Sequence, residues 1–423
     1  MNVLVIGNGG REHAVVQALK KSPKVNKIYA MKGNAGIAEL AEIVDVDYCD
    51  VKAVGEWVDK SDVDFTVVTP DDPLALGLVD ELESRGHKAF GPKKNAAIIE
   101  ASKAFSKNLM KKYGIPTAEY EIFDNYEQAA AYVQTCKIPV VLKADGLALG
   151  KGVLICKTRE EALDGVKEMM LDKKFGSAGN KVVVEEFLEG PEVSVLSFTD
   201  GKTVVPMITS CDHKRAKDND EGLNTGGMGT FSPAPFYGEK TEKEVLEKIM
   251  LPTVQAMNAE GRPFKGVLYF GLMKTKDGMK VIEYNSRFGD PETQVVLPML
   301  ETDLMEIFQA VVEERLAEVE IKWAQGACVC VVLASGGYPE KYEKGKEIAI
   351  GDLGDEIVLC HAGTALKDGK LVTSGGRVLG VCARGIDIED ARKKAYAGAE
   401  KISFEGMYYR KDIGVKYREI ERE

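Results

Sequence analysis

Along the first hundred residues, short Val/Ile-rich runs alternate with amphipathic stretches: NVLVIG, REHAVVQALKKS and KIYAM, and later DFTVVTP, ELESRG and KAFGP. That rhythm predicts a doubly wound parallel sheet with covering helices from Met1 to about Ala101. The pattern changes at Ser102. SKAFSKNLMKKYG reads as a helix closed by Gly114 with Pro116 beyond, and PVVLKAD and VLIC read as strands around a glycine-rich loop. KVVVEEFL, EVSVLSFTDGKTVVPMITS and VLYFGLMKTKDGMKVIEYN add strands, the last two carrying hairpin turns at Asp200-Gly201 and Asp277-Gly278. The middle of the chain is therefore expected to be largely antiparallel.

Residues 291 to 316 read as helical, with Asp290 as N-cap and Pro291 at the first helical position. GACVCVVLASGGYP, EIVLCHAGTALKDGKLVTSGGRVLGVCARG and a helix-rich tail then predict a further α+β unit. Neither an internal repeat nor a low-complexity linker separates these regions, so the units are expected to pack against one another.

Length and composition narrow the function classes. At 423 residues the chain holds two to four domains, each large enough for its own core. Hydrophobic residues are 44% and charged residues 29% of the total, and no stretch approaches the ~20 apolar residues that span a bilayer, so no membrane partner is expected. The 56 basic and 67 acidic side chains give a formal charge of -11, which repels polyanions and argues against nucleic acid as a partner. A phosphate site must then be a local cluster of positive groups. The eight cysteines include no C-x-x-C, which predicts reduced, buried thiols rather than a zinc site or a disulfide framework. MNVLVIG runs straight into an apolar strand without the segments of a signal peptide, which predicts a cytoplasmic location.

In VLVIGNGGREHAVV, Gly7, Gly9 and Gly10 lie between a strand and a helix, where backbone N–H groups can hold a phosphate. A dinucleotide fingerprint needs a small residue at position 12, but Glu12 stands there, and KIYAM ends without an acidic ribose ligand. A mononucleotide-like or sugar-phosphate site stays open, beside the plain reading of a tight turn. VVLKADGLALGKGVLI is the stronger signal: Lys143 ends a strand, and a loop with Gly146, Gly150 and Gly152 carries Lys151. Cations on either side of a glycine backbone suit an oligophosphate, although a hairpin with surface lysines is the bland alternative. This is not a Walker A loop, since Gly152 stands where Ser or Thr belongs and a strand follows.

VVVEEFLEGPEVSV sets Glu185, Glu186, Phe187 and Leu188 at a strand end with Glu192 beyond, a place to clamp an adenine and accept from ribose hydroxyls, or else a solvated acidic turn. In MKVIEYNSRFGDPETQ, side chains two apart share a strand face, so Glu283 and Asn285 present two oxygens together and Arg287 continues that face. Paired oxygens suit Mg²⁺ between protein and phosphates, and the Arg can stabilise phosphoryl oxygens and a later oxyanion; an exposed hairpin face is the alternative. SCDHKRAKDNDEGLNTGGMGTFSPAP, with Asp212, His213, Lys214 and Arg215, reads as a structureless substrate loop or as a mobile surface loop. His213 is given no proton-transfer role.

Taken in order, GNGGREH, IPTAEY, KADGLALGKGV, VEEFLEGPEVS, DHKR with NTGGMGTFSPAP, NSRFGDPETQ and HAGTALKDGKLVTSGGRVL resemble the phosphoribosylamine-glycine ligase (glycinamide ribonucleotide synthetase) family of ATP-grasp enzymes, from Met1 to the tail. The resemblance implies an α/β and α+β multidomain protein: an amino-terminal substrate domain over residues 1–101, an ATP-grasp domain over 102–313 with a lid near 120–190, and a carboxy-terminal α+β domain over 325–423. It implies that Lys103, Lys143 and the loop with Gly146, Gly150, Lys151 and Gly152 hold the phosphates of ATP, that Glu185, Glu186, Phe187 and Leu188 contact adenine, and that Glu192 meets the ribose. Glu283 and Asn285 would be Mg²⁺ or Mn²⁺ ligands. Gly9, Gly10, Arg11, Pro70, Asp71, Asp212, Lys214, Arg287, Gly289 and Asp290 would line the substrate site, with Arg287, Lys214 and Asp212 catalytic.

One departure bears on the amine substrate: the commoner family form of the loop after the fourth strand is GPEAP, and this chain reads TPDDP from Thr69 to Pro73. Asp71 preserves a carboxylate one methylene shorter, and Asp72 adds a second. The activity implied is ATP-dependent ligation of glycine to 5-phosphoribosylamine through glycyl phosphate, giving glycinamide ribonucleotide, ADP and phosphate in purine biosynthesis, by a monomer. Ligation of another carboxylate and amine, or nucleotide binding without catalysis, are the competing readings.

Overall fold

The structure is a computed structural model that describes residues 1–147 and 152–417. Its first unit is a five-stranded parallel sheet in which Asn2–Gly7 lies at the centre, paired with Lys27–Lys32 on one side and Phe65–Val68 on the other. Successive residues of the central strand point to opposite faces, and both faces are covered. Val3 and Val5 pack with Val15, Val16 and Leu19, whereas Leu4 and Ile6 pack with Val54, Val58, Leu78 and Leu82. The expected doubly wound sheet is present.

Ser102 begins the next unit. Its hydroxyl accepts the N–H of Phe105 at 3.1 Å and donates to Asp145 at 3.0 Å, capping the helix Lys103–Tyr113, which ends in Gly114 at φ 68. A four-stranded antiparallel sheet follows in the order Tyr120–Phe123, Val182–Glu186, Val140–Ala144, Val153–Cys156. Tyr126–Thr135 and Arg159–Met170 bury Ala129, Val133, Ala162 and Val166 against its apolar residues. A second antiparallel sheet runs Val204–Pro206, Glu192–Asp200, Lys265–Thr275, Gly278–Asn285. The middle region is antiparallel, as the hairpin turns require.

Two local expectations fail. The stretch from Ser210 to Pro235 is not structureless: it forms the strands Cys211–Asp212, Arg215–Lys217, Glu221–Asn224 and Gly229–Ser232. Gly229–Ser232 pairs with Ala327–Ala334, so this part of the chain extends the sheet of the carboxy-terminal unit, whose other strands are Arg377–Gly385 and Ile357–His361. Residues 291 to 316 are not one helix, and Asp290 is not its N-cap. Helix begins at Thr293 after Glu292, tightens at Leu297–Met299, and stops because Leu300 bridges Trp323 and the Glu301 N–H donates to Lys322 O at 2.9 Å. It restarts as Leu304–Val312, capped by Asp303. All eight cysteines are free thiols; six are buried, Cys136 is half-buried, and Cys49 is exposed, contrary to the uniform burial expected.

Because the Ser102 hydroxyl caps the helix that carries Lys103, Ser102→Ala should lower stability by about 1 kcal/mol in urea unfolding. An unchanged midpoint and slope would show that the cap contributes nothing.

Candidate active site

Between the two antiparallel sheets lies a cavity of 630 Å³. Lys103 and Lys107 sit four apart on the capped helix and so share a face toward it. Lys143 comes from the strand Val140–Ala144 and Glu185 from the neighbouring Val182–Glu186. Glu185 Oε2 accepts from Lys107 at 2.9 Å and from Lys143 at 3.0 Å, all three side chains being at least 96% buried. Lys143 also donates to Ile282 O of the facing sheet at 2.9 Å, and Lys103 to Gly146 O at 3.0 Å. Burial pushes Lys107 down to about 8 against the pull of Glu185, and it lowers Lys103 as well. Both lysines thus meet one oxygen of Glu185, and its Oε1 is buried without a hydrogen-bond partner.

Glu283 and Asn285, on Gly278–Asn285, both face the cavity. Burial would raise the Glu283 carboxyl, yet Lys214, Lys143, Lys103 and Arg287 together hold it at about 2. Lys214 Nζ lies 3.5 Å from Glu283 Oε1 and 3.7 Å from Glu192 Oε2. Burial works against its charge, but these two carboxylates keep its pKa well above the ordinary value. The ionised Glu283 oxygens and the Asn285 amide oxygen are hard donors that fit a Mg²⁺-like ion. Among the described residues no three His, Cys, Asp or Glu side chains are grouped for a metal, so two protein oxygens would leave the remaining positions to water or phosphate.

Arg287 is locked by Glu100: Nη2 is 2.9 Å from Glu100 Oε1, while Glu100 Oε2 accepts the N–H and hydroxyl of Ser286, each at 2.8 Å. Its Nε is buried with no hydrogen-bond partner, as is Asp212 Oδ1. Burial, reinforced by Glu292, pushes Asp212 well above the ordinary carboxyl range. Asp290 behaves oppositely. Burial would raise it, but Arg377 and Arg11 bring it below its ordinary value. Arg377 donates to Asp290 O at 2.8 Å and Gly226 O at 2.7 Å, fastening the two loops together. His213 is fully buried, and burial lowers it to about 4.

The first glycine turn is built around Glu12. Its Oε2 accepts the Gly9 N–H at 2.6 Å and its Oε1 pairs with Arg11 Nε at 2.6 Å, so the residue that breaks the dinucleotide pattern caps its own helix. A Cβ on Gly9 would stand 3.3 Å from Asp290 Oδ2, and one on Gly10 only 2.6 Å from Gln294 Nε2, which is why this close approach takes glycine.

Most of the expected residues line the one cavity: Arg11, Asp71, Lys103, Lys143, Gly146, Gly152, Glu185, Glu186, Phe187, Leu188, Glu192, Asp212, Lys214, Glu283, Asn285, Arg287 and Asp290. Gly9, Gly10, Pro70 and Gly289 do not line it. Gly9 and Gly10 back onto the Asp290 loop, Gly289 packs on Glu292, and Pro70 sits beside Gly7. Gly150 and Lys151 lie outside the described residues. In the TPDDP loop Asp71 faces the cavity, and burial with Asp71 nearby raises the Asp72 carboxyl, which weakens the second negative charge. Sequence reasoning missed Glu100, Lys107, Tyr269, Glu292, Arg377 and Lys416, which also line it. The spacing of Lys107 from Lys103 was a usable signal; Arg377 had none, because its place depends on the carboxy-terminal sheet.

The chain matches known families along nearly its whole length. Residues 1–100, 101–293 and 328–416 match the N domain, the ATP-grasp (A) domain and the C domain described for phosphoribosylglycinamide synthetase. It is 49% identical over 417 residues to a phosphoribosylamine–glycine ligase of Caldanaerobacter subterraneus subsp. tengcongensis, covering 99% of this chain and 100% of that protein. It is 48% identical over 426 residues to a trifunctional purine biosynthetic protein adenosine-3 of Gallus gallus, covering 99% of this chain and 42% of the longer one. The crystal structure of a phosphoribosylamine–glycine ligase from Thermotoga maritima superposes with a TM-score of 0.84 at 36% identity, covering 98% of this chain and 100% of that one. A biotin carboxylase domain from Hydrogenobacter thermophilus, at TM-score 0.74 and 16% identity over 96% of this chain and 91% of that one, shares the fold.

The Glu283 shift has a signed consequence. A carboxyl depressed from 4.5 to about 2 by folding adds stability that is fully present above its unfolded pKa and lost as pH falls through the folded value. In EDTA, the stability difference between the wild type and Glu283→Gln should be constant above about pH 5 and shrink between about pH 4.5 and 2. A difference independent of pH would show that the cations do not act on this carboxylate.

Proposed function

The chain belongs to the phosphoribosylglycinamide synthetase family, and from that premise we propose that its cavity performs the ligation of glycine to 5-phosphoribosylamine at the expense of ATP, a step of purine biosynthesis. The observation that carries this reading is the convergence of Lys103, Lys143, Lys214 and Arg287 on the Glu283–Asn285 face. These four cations line a cavity that an oligophosphate can enter. A divalent ion held by Glu283 and Asn285 would supply further neutralisation of phosphate charge when bound.

The chemistry needs activation because a carboxylate is inert toward amines. The glycine carboxylate oxygen attacks the γ-phosphorus, the bond to ADP breaks, and glycyl phosphate forms. Lys103 and Lys143 hold the phosphates in line, and Glu186, Phe187 and Leu188 with Glu192 take the nucleoside. The amine of phosphoribosylamine then attacks the acyl carbon, phosphate leaves, and the amine loses its proton, giving glycinamide ribonucleotide. Arg287, its Nε free and its position fixed by Glu100, is placed to stabilise the oxyanion of that addition. Lys214 and Asp212 orient the acyl group beside it. The sheet from Tyr120–Phe123 to Val182–Glu186 serves as a lid that keeps water from the intermediate.

We read residues 1–101, 102–313 and 325–423 as the working domains. We place its action, as a monomer, in the cytoplasm. Among the described residues no helix is long and apolar enough to cross a membrane.

A coupled ADP-release assay tests the reading. ADP should form when ATP, glycine and freshly made phosphoribosylamine are all present, and steady turnover should stop when either glycine or the amine sugar is omitted. Release with another acid and amine pair would assign a different ligase, and nucleotide binding without release would remove catalysis. Arg287→Gln should lower kcat by about 10²-fold if it meets the oxyanion. Cys211→Ala should leave turnover unchanged, since that thiol is buried and pushed up by desolvation and no covalent step uses it.

A further inference from the structure

The Glu192 end of the cavity is closed by a part of the chain that the reaction above leaves unused. Residues 410–417 run from the carboxy-terminal unit beneath the hairpin of Arg215–Lys217 and Glu221–Asn224. Arg410 is 2% exposed, and its guanidinium reaches Asp412 at 2.6 and 2.7 Å, Asp220 Oδ1 at 3.0 Å and Arg215 O at 3.0 Å. The hairpin replies: the Asn219 N–H donates to Asp412 Oδ2 at 2.9 Å, and the Lys411 N–H to Asp218 Oδ1 at 2.8 Å. A buried guanidinium with this many fixed partners resists displacement, because freeing one leaves a desolvated charge.

From that anchor the segment turns to the cavity. Lys416 Nζ lies 3.0 Å from Asp220 Oδ2, and its side chain lines the cavity. The Tyr417 hydroxyl accepts the backbone N–H of Glu192 at 2.9 Å, and its ring meets Phe236 edge-on at 5.1 Å. Tyr417 sits at φ 66, a left-handed conformation that a bulky side chain rarely takes without compensation.

We propose that residues 410–417 form a strap that sets affinity for the nucleotide: Tyr417 fixes the start of the strand that carries Glu192, and Lys416 flanks the same end of the cavity. The proposal rests on the reading of Glu192 as the nucleoside carboxylate. It makes Tyr417 a positioning residue, not a catalytic one, since it touches Glu192 rather than substrate. The carboxy-terminal unit then fastens the cavity wall at two points, through Arg377 on Asp290 and through Tyr417 on Glu192.

The test uses the full chain. Tyr417→Phe removes only the accepting hydroxyl, and Lys416→Met removes the flanking charge while keeping its stem. For each, KM for ATP, KM for glycine and kcat are measured, together with the calorimetric affinity for a non-hydrolysable ATP analogue. Both variants should weaken ATP and analogue binding by about three- to tenfold, with kcat and the glycine KM unchanged. A strap that served stability alone would reduce kcat with the folded fraction and leave the ATP KM where it was; that result, or unaltered analogue affinity in both variants, overturns the proposal. If the wild type binds the analogue but releases no ADP, the ligase reading falls, while the analogue affinities still decide the strap.

Discussion

Keeping like charges together in a place short of water is the constraint on which this site depends. Lys103, Lys107, Lys143, Lys214 and Arg287 gather at one cavity in a chain whose formal charge is -11. Two ammonium groups ~4 Å apart repel by about 4 kcal/mol at an effective dielectric near 20, and each loses hydration as well. Glu185 bridges Lys107 and Lys143, and Glu283 faces the others. Burial by itself would drive a carboxyl toward its neutral form, so a Glu283 pKa of about 2 means that the cations outweigh desolvation. Glu100 pairs with Arg287 and Glu192 lies near Lys214, so four carboxylates hold these five cations in place. Cations held this close together can gather the oxygens of a triphosphate, and this links the electrostatics to the ligase chemistry.

That charge balance also ties the two sheets together. Glu185 and Lys143 lie on adjacent antiparallel strands, where Val141 pairs with Glu185 and Lys143 with Val183. Lys143 spans the gap to Ile282 O beside Glu283. Separating the sheets would draw Lys143 away from Glu283 and weaken the force that keeps that carboxylate ionised. The spacing of the two sheets and the charge on the Glu283–Asn285 face are therefore linked through Lys143, which acts beside Lys214, Lys103 and Arg287.

Much of this was legible locally, and the rest was hidden for physical reasons. The two-residue repeat of a strand put Glu283 and Asn285 on one face, and apolar runs gave the parallel sheet. Asp290-Pro291 has the composition of an N-cap followed by a first helical residue, but tertiary contacts recruit Asp290 to accept from Gln294 and Arg377, and the helix starts later. The segment after Ser210 looked structureless because its strand Gly229–Ser232 pairs with Ala327–Ala334, about a hundred residues on, and pairing at that separation leaves no short-range pattern. Glu12 read only as a departure from a dinucleotide motif, since nothing nearby in the sequence announces that a side chain will cap Gly9.

Asp290 and Asp212 show how one cavity gives two aspartates opposite characters. Asp290 has guanidinium groups on both sides, from Arg377 and Arg11, and stays ionised despite burial. Asp212 feels burial first and Glu292 next, and is driven toward its protonated form even though Lys214 and Arg377 pull the other way. A second full anion beside Asp290 would repel any phosphate that enters, and a carboxyl whose pKa is raised repels it less. The difference follows from which partner each carboxyl meets: Gln294 from the helix Thr293–Val296, Arg377 from the carboxy-terminal sheet and Arg11 from the first helix come to Asp290, while Asp212 sits on a two-residue strand with Oδ1 left unpartnered. The asymmetry is therefore fixed by the fold itself, through the partners each element brings.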